Sequence, residues 1–164
     1  MHSQALVVID IQNDITKNYR TIIDTINDAI DWSVSSGIDV IYIKHNNLSE
    51  KTRTFKPGTT GEEFAPELKV VSDHVFTKSK ASALTCQAFV DHIEANDIDE
   101  FYVAGADATG CVKSTSYNMR KRGYTVHVIS DAVTSYSLAK VPEMLAYYAK
   151  QGCDVKTLDE HRKG

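Results

Sequence analysis

Between Gln4 and Asp10 the chain reads "QALVVID", an unbroken apolar run that ends in a carboxylate. Such a run reads as a parallel strand buried on both faces. Beyond it, Ile22, Ile23, Ile26, Ala29, Ile30 and Val34 recur at helical spacing, and Gly37 supplies a C-terminal cap. "IDVIYIK" (Ile38 to Lys44) predicts a second strand, so the chain opens strand, helix, strand. The pattern repeats: "HVFTK" (His74 to Lys78) predicts a short strand, Ala83 to Asn96 an amphipathic helix, and "EFYVAG" (Glu100 to Gly105) a further strand. A helix over about Gly110 to Arg122 stops at Gly123, and "YTVHVIS" follows as a strand. Next come a helix beginning near Pro142 and a closing strand, "CDVKTL".

This alternation predicts an α/β fold: a doubly wound, mainly parallel six-stranded sheet with helices on both faces, three layers in all. Residues 1–164 are expected to form a single domain, a length sufficient for one core. The exception to the rhythm is Lys44 to Pro66, more than twenty residues of weak periodicity, a length that in a compact domain belongs to a lid, a contact segment or a mobile loop.

Composition narrows the function. A net charge of −4 and a pI near 5.8 offer no electrostatic footprint for nucleic acid or an anionic membrane. "ALVVI" is too short for a signal-peptide core, and no run approaches a membrane span, so a cytoplasmic protein acting on a small molecule is expected. Cys86, Cys111 and Cys153 are odd in number and widely spaced, which suits reduced thiols.

In an open parallel sheet, ligands bind beyond the carboxyl ends of the strands. Three reactive side chains fall there: Asp10, Lys78 and Cys111. A cysteine in the first turn of a helix meets unpaired N–H groups and the positive end of the macrodipole, which favour thiolate. Lys78 nearby would add to this, and Asp10 could take the thiol proton and return it to a leaving amine. Each residue also has a plainer reading: Cys111 as a buried core thiol, Asp10 as a helix cap, Lys78 as a solvated charge. Only their joint placement favours chemistry.

Four segments in order carry a family resemblance: "ALVVIDIQND" with Asp10 and Gln12, "KPGTTGEEFAPEL" from Lys56 to Leu68, "TKSKASAL", which selects Lys78 over Lys80, and the stretch holding Gly105, Cys111, Val112, Thr115, Gly123, Tyr124 and Asp131-Ala132. Through these the chain resembles the isochorismatase-like cysteine hydrolases, almost end to end. The resemblance implies a triad in which Cys111 attacks an amide-type carbonyl, Asp10 shuttles the proton and Lys78 gives electrostatic support. It further implies an oxyanion hole from the N–H groups of Asp107 and Cys111, a cis peptide joining Ala106 and Asp107, and a homo-oligomer, dimer or tetramer. Gln12, Tyr19 and His45 are candidate substrate contacts, with Phe55 and the long loop shaping the pocket.

The sequence also departs from the family. Ala108 stands where many members have threonine, and Asp107 puts a second carboxylate beside the thiol, able either to raise its pKa or to bind a cationic substrate group. No metal and no cofactor are expected: the second strand ends "IYIKHNN", with Ile43 where the metal-binding nicotinamidase branch has aspartate, and no HxH or HExxH spacing occurs. The reading is therefore C–N hydrolysis of a small amide, carbamoyl or ureido compound. A non-catalytic binding module and a vinyl-ether hydrolase stand as alternatives.

Overall fold

The computed structural model describes residues 3–14 and 17–164, leaving aside the side chains of residues 17 and 18. Ile15 and Thr16, after the first strand, lie outside the described residues.

β1 (Ser3–Ile9) is followed by a short α1 (Lys17–Arg20), α2 (Ile23–Ser35) and β2 (Asp39–His45). The long loop, which holds one 3-10 turn at Thr60–Glu62, leads to β3 (Val75–Lys78). Then come α3 (Gln87–Ala95), β4 (Ile98–Ala106), α4 (Cys111–Lys121), β5 (Thr125–Thr134), α5 (Lys140–Lys150), β6 (Asp154–Lys156) and α6 (Leu158–Lys163). The six strands form one sheet in the order β3-β2-β1-β4-β5-β6, and every pairing is parallel.

β1 lies between β2 and β4 and is buried on both sides, Ala5 to Ile9 being at most 1% exposed. Because successive side chains face opposite ways, Ala5, Val7 and Ile9 enter the cluster that holds Phe89, Val112 and Tyr148 from α3, α4 and α5. Leu6 and Val8 enter the other, with Ile26 and Ile30 of α2 and Leu158 of α6. The doubly wound, two-faced architecture predicted from the pattern is therefore present. No helix among the described residues is long and apolar enough to cross a membrane.

Several local expectations are corrected. Ala83 to Asn96 is not one helix: Ala83–Thr85 is a 3-10 turn, and α3 starts only after Cys86, whose backbone is extended. The Ser82 hydroxyl accepts from Leu84 N–H and the Thr85 hydroxyl donates to the Ser82 carbonyl, short bonds that compete with helix. Cys86 thus precedes the helix and packs half-buried against the core. Val34 is 57% exposed, outside the apolar stripe of α2. β5 runs on through Ser130 and Asp131 to Thr134. The last strand is only three residues long, and "TLDEHRK" turns into α6 through a capping box between Thr157 and Glu160.

Candidate active site

The chain lays down β1, β2 and β3 in one direction and then crosses to place β4 on the other side of β1. The switch point is the β1/β4 boundary, where ligands of such sheets bind. At Gly105 (φ 127°) β4 presses so close to β1 that a Cβ would stand 2.2 Å from the Ile9 carbonyl oxygen. Only glycine fits. Immediately after Ile9, Asp10 takes a left-handed backbone (φ 59°), a conformation costing on the order of 1 kcal/mol or more for a non-glycine residue. Its N–H still pairs with the Ile43 carbonyl, at 2.9 Å.

Lys78 ends β3 in register with His45 at the end of β2. Its side chain is wholly buried. The ammonium group lies 3.1 Å from Asp10 Oδ2, 3.2 Å from Cys111 Sγ and 2.9 Å from His45 Nδ1. An ammonium has three N–H bonds, and each has one acceptor. Since Nδ1 must accept from Lys78, the His45 proton sits on Nε2, which donates to Asn47 Oδ1 at 2.7 Å. Phe55 packs edge-on against the same imidazole, with centroids 6.0 Å apart.

Cys111 is the first residue of α4. The peptide joining Ala106 to Asp107 is cis, and the Asp107 carbonyl accepts from the N–H groups of Gly110 and Val112. Among the described residues, neither Asp107 N–H nor Cys111 N–H donates any of the backbone hydrogen bonds made outside the helices and strands.

The helix N-terminus and Lys78 alone would make Cys111 a thiolate. The structure places it otherwise: burial, and then the Asp10 carboxylate beside it, push the thiol up to about 12, with Lys78 opposing. Burial raises Asp10 as well, against the pull of Lys78. Burial lowers His45, assisted by the Lys78 charge. The thiol therefore keeps its proton at neutral pH, beside a carboxylate whose Oδ1 has no hydrogen-bond partner.

The remaining candidates have other work. Gln12 is fully buried. Its amide donates to the carbonyls of His45 and Glu62 and accepts from His45 N–H, so it clasps the long loop to the ends of β1 and β2. The Asp107 carboxylate receives the N–H and hydroxyl of Thr109, the N–H of Tyr136 and the hydroxyl of Tyr19. Burial alone would raise Asp107, but these bonds together hold it below the ordinary carboxylate range. With its oxygens so occupied, Asp107 serves the loop and is not an open cation site. Asn47, which fixes the His45 tautomer, has no local signal in the sequence.

Asp10, His45 and Cys111 bring possible ligand atoms within 4.8 Å of one another. Lys78 donates to all three, so a metal ion there would have to displace a buried ammonium, and the residues do not suit one.

Known proteins share this fold. Nicotinamidase 3 of Arabidopsis thaliana is 23% identical over 146 residues, covering 81% of this chain and 74% of that protein. The solved structure of an isochorismatase-like hydrolase from Alkaliphilus metalliredigens superposes with a TM-score of 0.88 at 21% identity, covering 98% of both chains. N-carbamoylsarcosine amidase from Thermoplasma acidophilum gives a TM-score of 0.82 at 24% identity, covering 94% of this chain and 96% of its own. The isochorismatase domain model matches residues 4–160, and with nearly the whole sequence inside that match the chain belongs to the isochorismatase family of hydrolases.

Proposed function

We propose that the protein hydrolyses a C–N bond of a small amide, carbamoyl or ureido compound through a covalent intermediate on Cys111. The observation that carries the reading is the single buried ammonium shared by Asp10 and Cys111, an arrangement with no use in a passive binding module. Two relatives named as a nicotinamidase and an N-carbamoylsarcosine amidase support the amide class.

Because the thiol is protonated, attack and proton transfer run together: Sγ bonds to the substrate carbonyl carbon as Asp10 takes the thiol proton. The N–H groups of Asp107 and Cys111 donate to the oxygen as it becomes negative. Collapse breaks the C–N bond, and the amine or ammonia leaves with the proton from Asp10. Water, deprotonated by the same carboxylate, then attacks the thioester, and Cys111 regains its proton. Lys78 keeps Asp10 ionised between transfers. Three unpaired cysteines suit a reducing compartment such as the cytoplasm, and a homo-oligomer is part of the same proposal.

The test is ammonia release from a panel of primary amides and N-carbamoyl amino acids, with mass spectrometry of the quenched enzyme. Wild type should turn over at least one compound and show an adduct on Cys111. Cys111→Ala should lose at least about a thousandfold in kcat while its circular dichroism stays native. Full activity in that variant would sink the nucleophile assignment.

A further inference from the structure

Near the N-terminal ends of β4 and β5, away from the catalytic group, Glu100, His127, Asp154 and His161 face a cavity of about 250 Å³. His127 pairs in register with Asp154 of the neighbouring β6, and His161 reaches in from α6. His161 Nε2 lies 3.0 Å from the Val128 carbonyl oxygen. A carbonyl can only accept, so the proton of His161 sits on Nε2 and its Nδ1 carries a lone pair. His127 donates from Nε2 to Glu100 Oε2 at 2.6 Å, which anchors the outer edge of its ring in the same way. Both Nδ1 atoms then face one oxygen: Asp154 Oδ2 is 2.9 Å from that of His127 and 3.9 Å from that of His161.

His127 Nδ1 is hydrogen-bonded to Asp154 Oδ2, the lone pair of the buried His161 Nδ1 is turned toward the same oxygen, and the three atoms lie within 4.8 Å of one another, so a cation that takes the place of the bridging proton would be held by all three. Histidines whose outer N–H groups are anchored on a carboxylate and a backbone carbonyl are arranged as metal ligands are. Ligands at about 2.0–2.1 Å from a tetrahedral Zn²⁺ lie about 3.3 Å apart, a spacing that the two separations bracket. His161 is only 6% exposed. The Tyr102 ring stacks on His127 at 4.4 Å and meets His161 edge-on at 5.5 Å, so both imidazoles are held. The nearby cation, Lys156, lies 3.5 Å from the other oxygen of Asp154 and is partly exposed.

We infer that His127 Nδ1, His161 Nδ1 and Asp154 Oδ2 form a binding site for a borderline divalent cation such as Zn²⁺, oriented by Glu100 and the Val128 carbonyl. This departs from the absence of metal expected from the sequence, where ligands at 127, 154 and 161 make no short motif. A second cluster, Asp39 with His74 and His92, lacks the same logic: Asn96 donates to His92 Nδ1, which turns the His92 N–H toward Asp39 and leaves no lone pair of His92 facing inward. At the proposed site a bound ion would tie β5 and β6 to α6.

The test is titration calorimetry of the chelator-treated full chain with Zn²⁺. Wild type should bind one ion per chain, and Cys111→Ser should bind it equally, which separates this site from the catalytic thiol. Asp154→Asn and His161→Gln should weaken binding by at least tenfold, and Glu100→Gln by about 10–100-fold. Gln at 161 retains an N–H for the Val128 carbonyl. Should that variant misfold, half-buried Asp154 carries the test. Absence of Zn²⁺ binding to wild type, binding unchanged in Asp154→Asn, or binding lost in Cys111→Ser would each overturn the site.

Discussion

Cys111 shows how far a single residue can be read from its neighbours in sequence. Its place after a strand and at the start of a helix was legible, as were the strand ends that carry Asp10 and Lys78, because period and position fix them. Its protonation state was not, since that depends on how much water the fold removes and on a carboxylate 101 residues away in sequence. The two accounts predict opposite effects of removing Asp10. With burial and the Asp10 charge holding the thiol at about 12, Asp10→Asn should lower the thiol pKa and speed iodoacetamide modification of Cys111 at pH 8, while hydrolysis falls by about 100-fold or more. Site-resolved mass spectrometry gives the rates, and slower modification in the variant would reverse the assignment. The pH profile follows from the same groups. Burial raises Asp10 above 3.8 and lowers His45 below 6.5. Protonating either one removes an acceptor from Lys78, and protonating Asp10 also removes the base. The acid limb of kcat/KM, set by the base Asp10, should therefore lie above the ordinary carboxylate value of 3.8, with no further step from thiolate formation through pH 9. A rise between pH 7 and 9 would show that the free enzyme works as a preformed thiolate.

Elements were legible where one face alternates cleanly and were misjudged where side chains bond to their own backbone. The Ser82 and Thr85 hydroxyl bonds break the expected helix at Cys86. The Thr157/Glu160 box starts α6 inside what hydropathy reads as strand. That signal was present in "TLDE", a Thr-x-x-Glu spacing, and hydrophobic period alone passes over it. The close approach of β4 to β1 was invisible, because the pattern gives strand existence but not neighbour spacing. Gly105→Ala tests it. The new methyl would stand 2.2 Å from the Ile9 carbonyl oxygen on a backbone at φ 127°, so the strands must part or the backbone must turn. A loss of about 1–3 kcal/mol of stability is expected, read as a lower urea midpoint. A larger proportional loss of activity should accompany it, since Asp10 follows Ile9 directly. Unchanged midpoint and activity would mean that the two strands separate without effect on the site. Gln12→Ala acts on the other side of β1: it removes the clasp on the Lys44–Pro66 loop and leaves His45 N–H and two carbonyls without their buried partner. It should cost about 1–3 kcal/mol and speed amide exchange in the loop, and loop exchange equal to wild type would remove the clasp assignment.

At the scale of the whole molecule, the alternation of β1 makes the two hydrophobic clusters one cooperative object. Ala5, Val7 and Ile9 belong to the cluster under α3, α4 and α5. Leu6 and Val8 belong to the one under α2 and α6, so neither face can lose its packing without exposing the strand that the other needs. The chain contains a single tryptophan, Trp32, packed edge-on against Tyr102 at 5.0 Å in the second cluster. Phe89 is fully buried in the first. Phe89→Ala removes aromatic packing on one face and should cost about 3–5 kcal/mol. If the sheet couples the faces, the urea transition seen by Trp32 fluorescence shifts by the same amount as that seen by far-ultraviolet circular dichroism, and the two remain superimposed, as a two-state domain requires. If the faces unfold separately, circular dichroism shifts while Trp32 reports an almost unchanged midpoint. The same experiment bears on the catalytic group. Lys78 arrives from edge strand β3 and Cys111 from the far side of β1, so in the coupled case the variant should lose hydrolysis at the urea concentration at which Trp32 changes its emission, and not before.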